Sequence, residues 1–185
     1  MKNTFVSSFI AAILISVSNI SYAALPATTG TVKFKGDIVE STCSVNSSSL
    51  NIVDMGTYLK SDIQKNKGVV VSASKKDFDI TLTKCPVTSV PVMMDIVFSG
   101  NIDSHHEELL ALDSSGETSA TGIGIGIYNR TSGTLINWSS SPHLTDIKID
   151  KTEIKIPLQV AYISNGEPIQ AGKADSTLNF TINYK

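Results

Sequence analysis

The chain is short of aromatic side chains, of charge and of cysteine, and each shortage excludes something. Only 6% of its 185 residues are aromatic, so a core must be built mainly from aliphatic side chains. Charged residues make up 17%, against about 25% in an ordinary soluble domain. Fifteen Lys and Arg against 17 Asp and Glu leave a formal charge of −2, which gives no basic footprint for nucleic acid. No apolar run approaches the ~20 residues of a membrane-spanning helix. The two cysteines lack the C-x-x-C spacing of a redox or zinc motif. No internal repeat and no low-complexity linker divides the chain. What is present is a 41% hydrophobic sequence, too apolar for disorder, whose 12 Gly and 6 Pro are ordinary for the length. These features describe one aliphatic-cored domain.

The first 23 residues read as an address. Lys2 supplies a positive start, residues 9–15 a short apolar stretch, and Ser21-Tyr22-Ala23 a small-x-small cleavage site, so residues 1–23 are expected to be a secretory signal peptide. Export would carry Cys43 and Cys85 into an oxidising compartment, where disulfides persist. A bridge between them closes a loop of about 43 residues, worth roughly 4 kcal/mol by chain entropy. Two free buried thiols are the alternative.

Beyond residue 24 the apolar pattern has period two, the signature of strands. Residues 31–39 alternate with an interruption at Gly36. In residues 77–85, Phe78, Ile80, Leu82 and Lys84 share one face and Cys85 the other. Further strands are expected over residues 90–98, 122–129, 153–163 and 177–184, separated by loops rich in Gly, Ser, Asn, Asp and Pro. Only residues 107–112 look helical. Several short strands at this spacing predict a single all-β sandwich. It is preceded by a short arm, residues 24–30.

Candidate chemistry is thin. Gly122-Ile123-Gly124-Ile125-Gly126 is not a phosphate loop, because no helix pattern follows and the glycines alternate with isoleucines. Glycines on one strand face instead let another layer approach closely. His105 and His106 are adjacent and sit in a polar stretch with Glu107 and Glu108, and neither they nor His143 has a metal-motif companion. No G-x-S-x-G elbow places a serine nucleophile. The sequence predicts no enzyme, no cofactor and no metal site.

The two ends are unusual. Leu178, Phe180, Ile182 and Tyr184 form one apolar face of a strand running to Lys185. At the other end Thr28, Gly30, Val32 and Phe34 share a parity, in an arm of strand-forming residues without an evident partner. Together with residues 30–39 leading to Cys43, residues 77–85 with Cys85, Leu109-Leu110-Ala111-Leu112, residues 121–127, Ile156-Pro157-Leu158, Gly172 and penultimate Tyr184, the chain resembles the type 1 pilin family. These are the subunits of bacterial chaperone–usher fimbriae.

The resemblance implies an incomplete immunoglobulin-like β-sandwich that lacks its last strand and is completed by donor-strand complementation, a recognised form of strand addition. It implies a signal peptide over residues 1–23, a donor-strand arm over residues 24–35 and a pilin domain over residues 36–185. Thr28, Gly30, Val32 and Phe34 would enter a neighbour's groove. Gly172, Leu178, Phe180, Ile182, Tyr184 and Lys185 would form the groove edge and the chaperone's handle, with the carboxylate of Lys185 as its anchor. The implied partners are a periplasmic chaperone, an outer-membrane usher and neighbouring pilus subunits, homo- or hetero-polymeric. The implied location is the cell-surface fimbrium, reached through the periplasm, and the implied function is a structural pilus subunit supporting cell adhesion. The alternatives are a carbohydrate-binding fimbrial adhesin or a minor tip or adapter subunit.

Overall fold

The structure is a computed structural model that describes residues 29–36, 42–46, 52–113, 118–140 and 142–185. The chain divides into two units, residues 1–36 and 37–185. In the first, residues 29–36 are exposed and carry no strand pairing, although Val32 and Phe34 are large apolar residues at 75% and 93% accessibility. The expected signal peptide, Thr28 and residues 37–39 of the first expected strand lie outside the described residues.

The described residues of the second unit hold eight strands: β1 (Ser44–Val45), β2 (Lys76–Thr83), β3 (Val92–Ser99), β4 (Ile123–Asn129), β5 (Thr134–Leu135), β6 (His143–Ile149), β7 (Ile154–Ser164) and β8 (Asn179–Tyr184). They form two sheets, ordered β1-β2-β7-β4-β5 and β6-β3-β8, with every ladder antiparallel. This is the expected all-β, immunoglobulin-like sandwich. Its last strand, β8, lies at a sheet edge and pairs only with β3 among the described residues.

Alternation builds the layers. In β3, Met94, Ile96 and Phe98 turn inward and are 0–1% accessible, while Val97 faces out. Ile80 and Leu82 of β2 and Ile156 and Leu158 of β7 meet them from the other sheet as one cluster. Burial of each such side chain contributes about 1.5–3 kcal/mol. In β4, Ile125 and Ile127 join the cluster while Gly124 leaves room for a crossing segment. A Cβ on Gly124 would lie 2.9 Å from both Leu109 Cβ and the Leu110 carbonyl oxygen. Leu110 and Ile125 exchange backbone hydrogen bonds of 2.8 and 2.9 Å there, so the bare face admits a neighbouring backbone.

Two expectations are corrected. Lys84 takes a left-handed φ of 54° just after β2 ends, so it is exposed rather than sharing the face of Ile80 and Leu82. That break in the alternation turns Cys85 into the core, at 3% accessibility. Residues 107–112 form a turn and an extended stretch instead of a helix. The Asp103 carboxylate draws in the His105 and His106 amides at 2.8 and 2.9 Å, and Leu109 and Leu110 are then both buried beside β4. The helical turns are short and lie elsewhere, at Lys60–Asp62 and Ser72–Ser74.

Candidate functional site

The edge strand β8 defines the site. The Lys185 amide donates to the Met93 carbonyl at 2.8 Å, and the register pairs Asn183 with Asp95, Thr181 with Val97 and Asn179 with Ser99. Hydrogen bonding alternates along an antiparallel pair, so these odd-numbered residues bond to β3. The N–H and C=O groups of Phe180, Ile182 and Tyr184 therefore point to the open edge. The side chains of the same residues turn toward the core and are only half-buried, as is Leu178 just before the strand. An edge with free backbone groups and an incompletely covered apolar row is a template for another strand.

Beside that edge lies a groove of about 750 Å³. Its floor is Phe78 and Ile80 of β2, Ile125 and Ile127 of β4, and Val160 and Tyr162 of β7. Leu178 and Phe180 form one wall, and residues 52–56 form the other. That second wall has no strand pairing, although Val53 and Met55 turn toward the core and alternate with exposed Ile52, Asp54 and Gly56.

The C-terminal end of β8 is fastened to the body at two adjacent residues. Cys43 and Cys85 are disulfide-bonded, and the Cys43 amide donates to the Tyr184 hydroxyl at 3.0 Å. At Lys185 the ammonium group meets Asp95 at 2.8 Å and Asp146 at 3.1 Å. Asp95 also accepts the Asp146 amide at 2.9 Å, where β6 carries a bulge and Asp146 has a φ of 57°. The Lys185 hydrogen bond, followed by that from the Asp146 amide, holds the Asp95 carboxyl below its ordinary range. Reciprocally, Asp95 and then Asp146 push Lys185 up. No motif in the sequence marks this clamp.

The expected site residues are distributed as follows. Leu178 and Phe180 line the groove, and Ile182, Tyr184 and Lys185 continue along and just beyond β8 without lining it. Gly172 lies outside β8, where a Cβ would come within 2.5 Å of the Ala120 nitrogen. It packs where residues 118–121 run beside residues 170–173. Gly30, Val32 and Phe34 are in the first unit and exposed, and Thr28 lies outside the described residues. His105 and His106 belong to a loop held by Asp103, whose other oxygen accepts from the buried Asn165 amide at 2.9 Å. Among the described residues no cluster of His, Cys, Asp and Glu could hold a metal ion, and no helix is long and apolar enough to cross a membrane.

Known proteins are similar to this chain in sequence and in fold. The chain is 30% identical over its whole length to the whole of the S-fimbrial protein subunit SfaA of Escherichia coli. It is 32% identical, again with 100% of both chains covered, to the C chain of an Escherichia coli type-1 fimbrial protein. Among solved structures, the P pilus rod subunit PapA superposes with a TM-score of 0.59 at 18% identity, covering 78% of this chain and all of that one. A subunit from a chaperone–usher pilus gives the same TM-score at 21% identity, covering 89% of this chain and 100% of its own. Those two likenesses establish the fold. The Fimbrial protein family model matches residues 32–185, and with the full-length relatives it shows that the chain belongs to the fimbrial protein family.

Proposed function

We propose that the chain is a structural subunit of a chaperone–usher fimbria and polymerises by donor-strand exchange. The observation that carries the reading is the unpaired edge of β8 beside an apolar groove. The arm over residues 24–35 is the complement: Val32 and Phe34 are exposed in the first unit, on the same parity as Thr28 and Gly30. Inserted beside β8 of the next subunit, their burial would contribute about 1.5–3 kcal/mol each, and backbone hydrogen bonds would tie the strand in.

The same groove has a prior occupant in this reading. Residues 1–23 direct export and are removed; a periplasmic chaperone then fills the groove of the pilin domain, residues 36–185, and holds the edge from Gly172 to Lys185. An outer-membrane usher exchanges the chaperone for an incoming arm, and the product is a surface fimbrium supporting adhesion. Contacts of this kind are heterologous and open-ended, as a fibre requires. The chain does no catalysis in this scheme.

Deletion of residues 24–34 tests the reading. The truncated subunit is expected to accumulate bound to its chaperone and to disappear from fibres. Normal incorporation of the truncated chain would exclude the arm as the donor.

A further inference from the structure

The groove is largely apolar along its floor but acidic at one end. Asp54, Asp113 and Asp175 are among its lining residues, and the described lining residues include neither Lys nor Arg. This end is the start of β8: the Asp113 amide donates to the Asp175 carbonyl at 2.8 Å, and the Thr177 hydroxyl donates to Asp113 Oδ2 at 2.9 Å. Asp54 lies on the wall made by residues 52–56. The Tyr162 phenol on the floor is pushed up by burial first and then by Asp175, Tyr58 and Asp54, so two of the carboxylates act on one ring. The opposite end of β8 carries the Lys185 ammonium group, already paired with Asp95 and Asp146.

The arm has a matching asymmetry. Lys33 and Lys35 alternate with Val32 and Phe34, so in an extended chain the two cations occupy the face opposite the apolar pair. All four residues are exposed.

We propose that the acidic end of the groove recognises Lys33 and Lys35 in the arm of a second copy of this chain, and so favours homopolymerisation. The proposal rests on the donor-strand reading. Every ladder in the two sheets is antiparallel. An arm added antiparallel to β8 runs its later residues toward the start of β8, which brings Lys33 and Lys35 to Asp113 and Asp175. The opposite end of β8 offers no equivalent open site, because its carboxylates Asp95 and Asp146 already hold the Lys185 ammonium group. Exposed pairs of this kind contribute little to final affinity, but complementary fields accelerate the encounter and suppress wrong partners. The effect is therefore kinetic and is screened by salt.

The test is the assembly rate of full-length chains released from their chaperone, at low and at high salt. Lys33→Glu with Lys35→Glu is expected to slow assembly about tenfold at low salt, and the gap is expected to close at high salt. Adding Asp175→Lys with Asp113→Lys to the same chain should recover much of the lost rate. Phe34→Ala serves as the control for the underlying reading and should block assembly at either salt. If the glutamate variant assembles at the wild-type rate while Phe34→Ala is blocked, charge recognition is excluded and the donor arm stands. A slowed variant that the aspartate reversals do not rescue excludes the pairing. Wild-type assembly by Phe34→Ala would overturn the donor-arm reading itself.

Discussion

The backbone amide of Cys43 donates to the Tyr184 hydroxyl across 3.0 Å, although the two residues are 141 positions apart. Cys43 leads into β1 of the five-stranded sheet, and Tyr184 ends β8 of the three-stranded sheet. The contact therefore joins the disulfide to the edge strand and bridges the two layers. Among the described residues strand β8 has only one strand neighbour, so each such tie matters more to it than to β7, which is paired on both sides.

Replacing Tyr184 with Phe keeps the ring and removes only the acceptor. The Cys43 N–H then loses its partner, a cost of about 1–3 kcal/mol where water does not replace it. Urea unfolding should show a lower midpoint with an unchanged slope. Tyr184→Ala should fall further, because the ring packs against the core cluster. A Phe variant as stable as the parent would show that the hydroxyl contributes nothing to the tie.

Replacement of both Cys43 and Cys85 by Ser removes the bridge that fixes the other end of this contact. The residues are separated by 42 positions. Loss of a loop constraint of that size is expected to cost about 4 kcal/mol. Thiol titration of the denatured parent should find no free thiol before reduction and two after it, and the double variant should melt markedly lower. Free thiols before reduction would remove the bridge from the account.

The sandwich was legible because alternation survives wherever one face of a strand is buried, as at Met94, Ile96 and Phe98. The groove edge was legible for the same reason, from Leu178 to Tyr184. Periodicity failed at Lys84, where one left-handed residue reversed the face taken by Cys85. It also failed at residues 107–112, where side-chain capture by Asp103 decides the backbone. The wall at residues 52–56 and the partners of Lys185 depend on distant segments meeting. Local pattern carries no information about such meetings.

Gly172 and Gly30 offer a paired test of where a methyl group fits. A Cβ at Gly172 would collide with the backbone of residues 118–120, whereas one at Gly30 has nothing within 4 Å. Gly172→Ala should destabilise the folded subunit by about 1–3 kcal/mol, the usual cost of overpacking. Gly30→Ala should leave its stability unchanged and act only on assembly, if the groove floor approaches the inserted arm there. Equal melting temperatures for both variants would contradict the close approach at Gly172.

The Lys185 clamp should make stability depend on pH at both extremes. Asp95 is held below its ordinary value, so its contribution is present above about pH 4 and is lost as pH falls through the lowered value. Lys185 is raised, so its contribution is complete below about pH 10.4 and is lost as pH rises through the raised value. Asp146, which shares the ammonium group, and His143, whose charge also favours ionised Asp95, act on the same site. Lys185→Met should therefore be less stable than the parent across the neutral range, and the gap should shrink in acid as Asp95 protonates. It should shrink again in strong alkali as the parent's ammonium group is lost. Chemical unfolding of both chains from pH 2 to pH 11 measures the gap, and carboxyl NMR of Asp95 should show its midpoint rising in the variant. A gap that stays constant into acid, with an unmoved Asp95 midpoint, would mean that Lys185 acts through packing of its alkyl chain and not through charge.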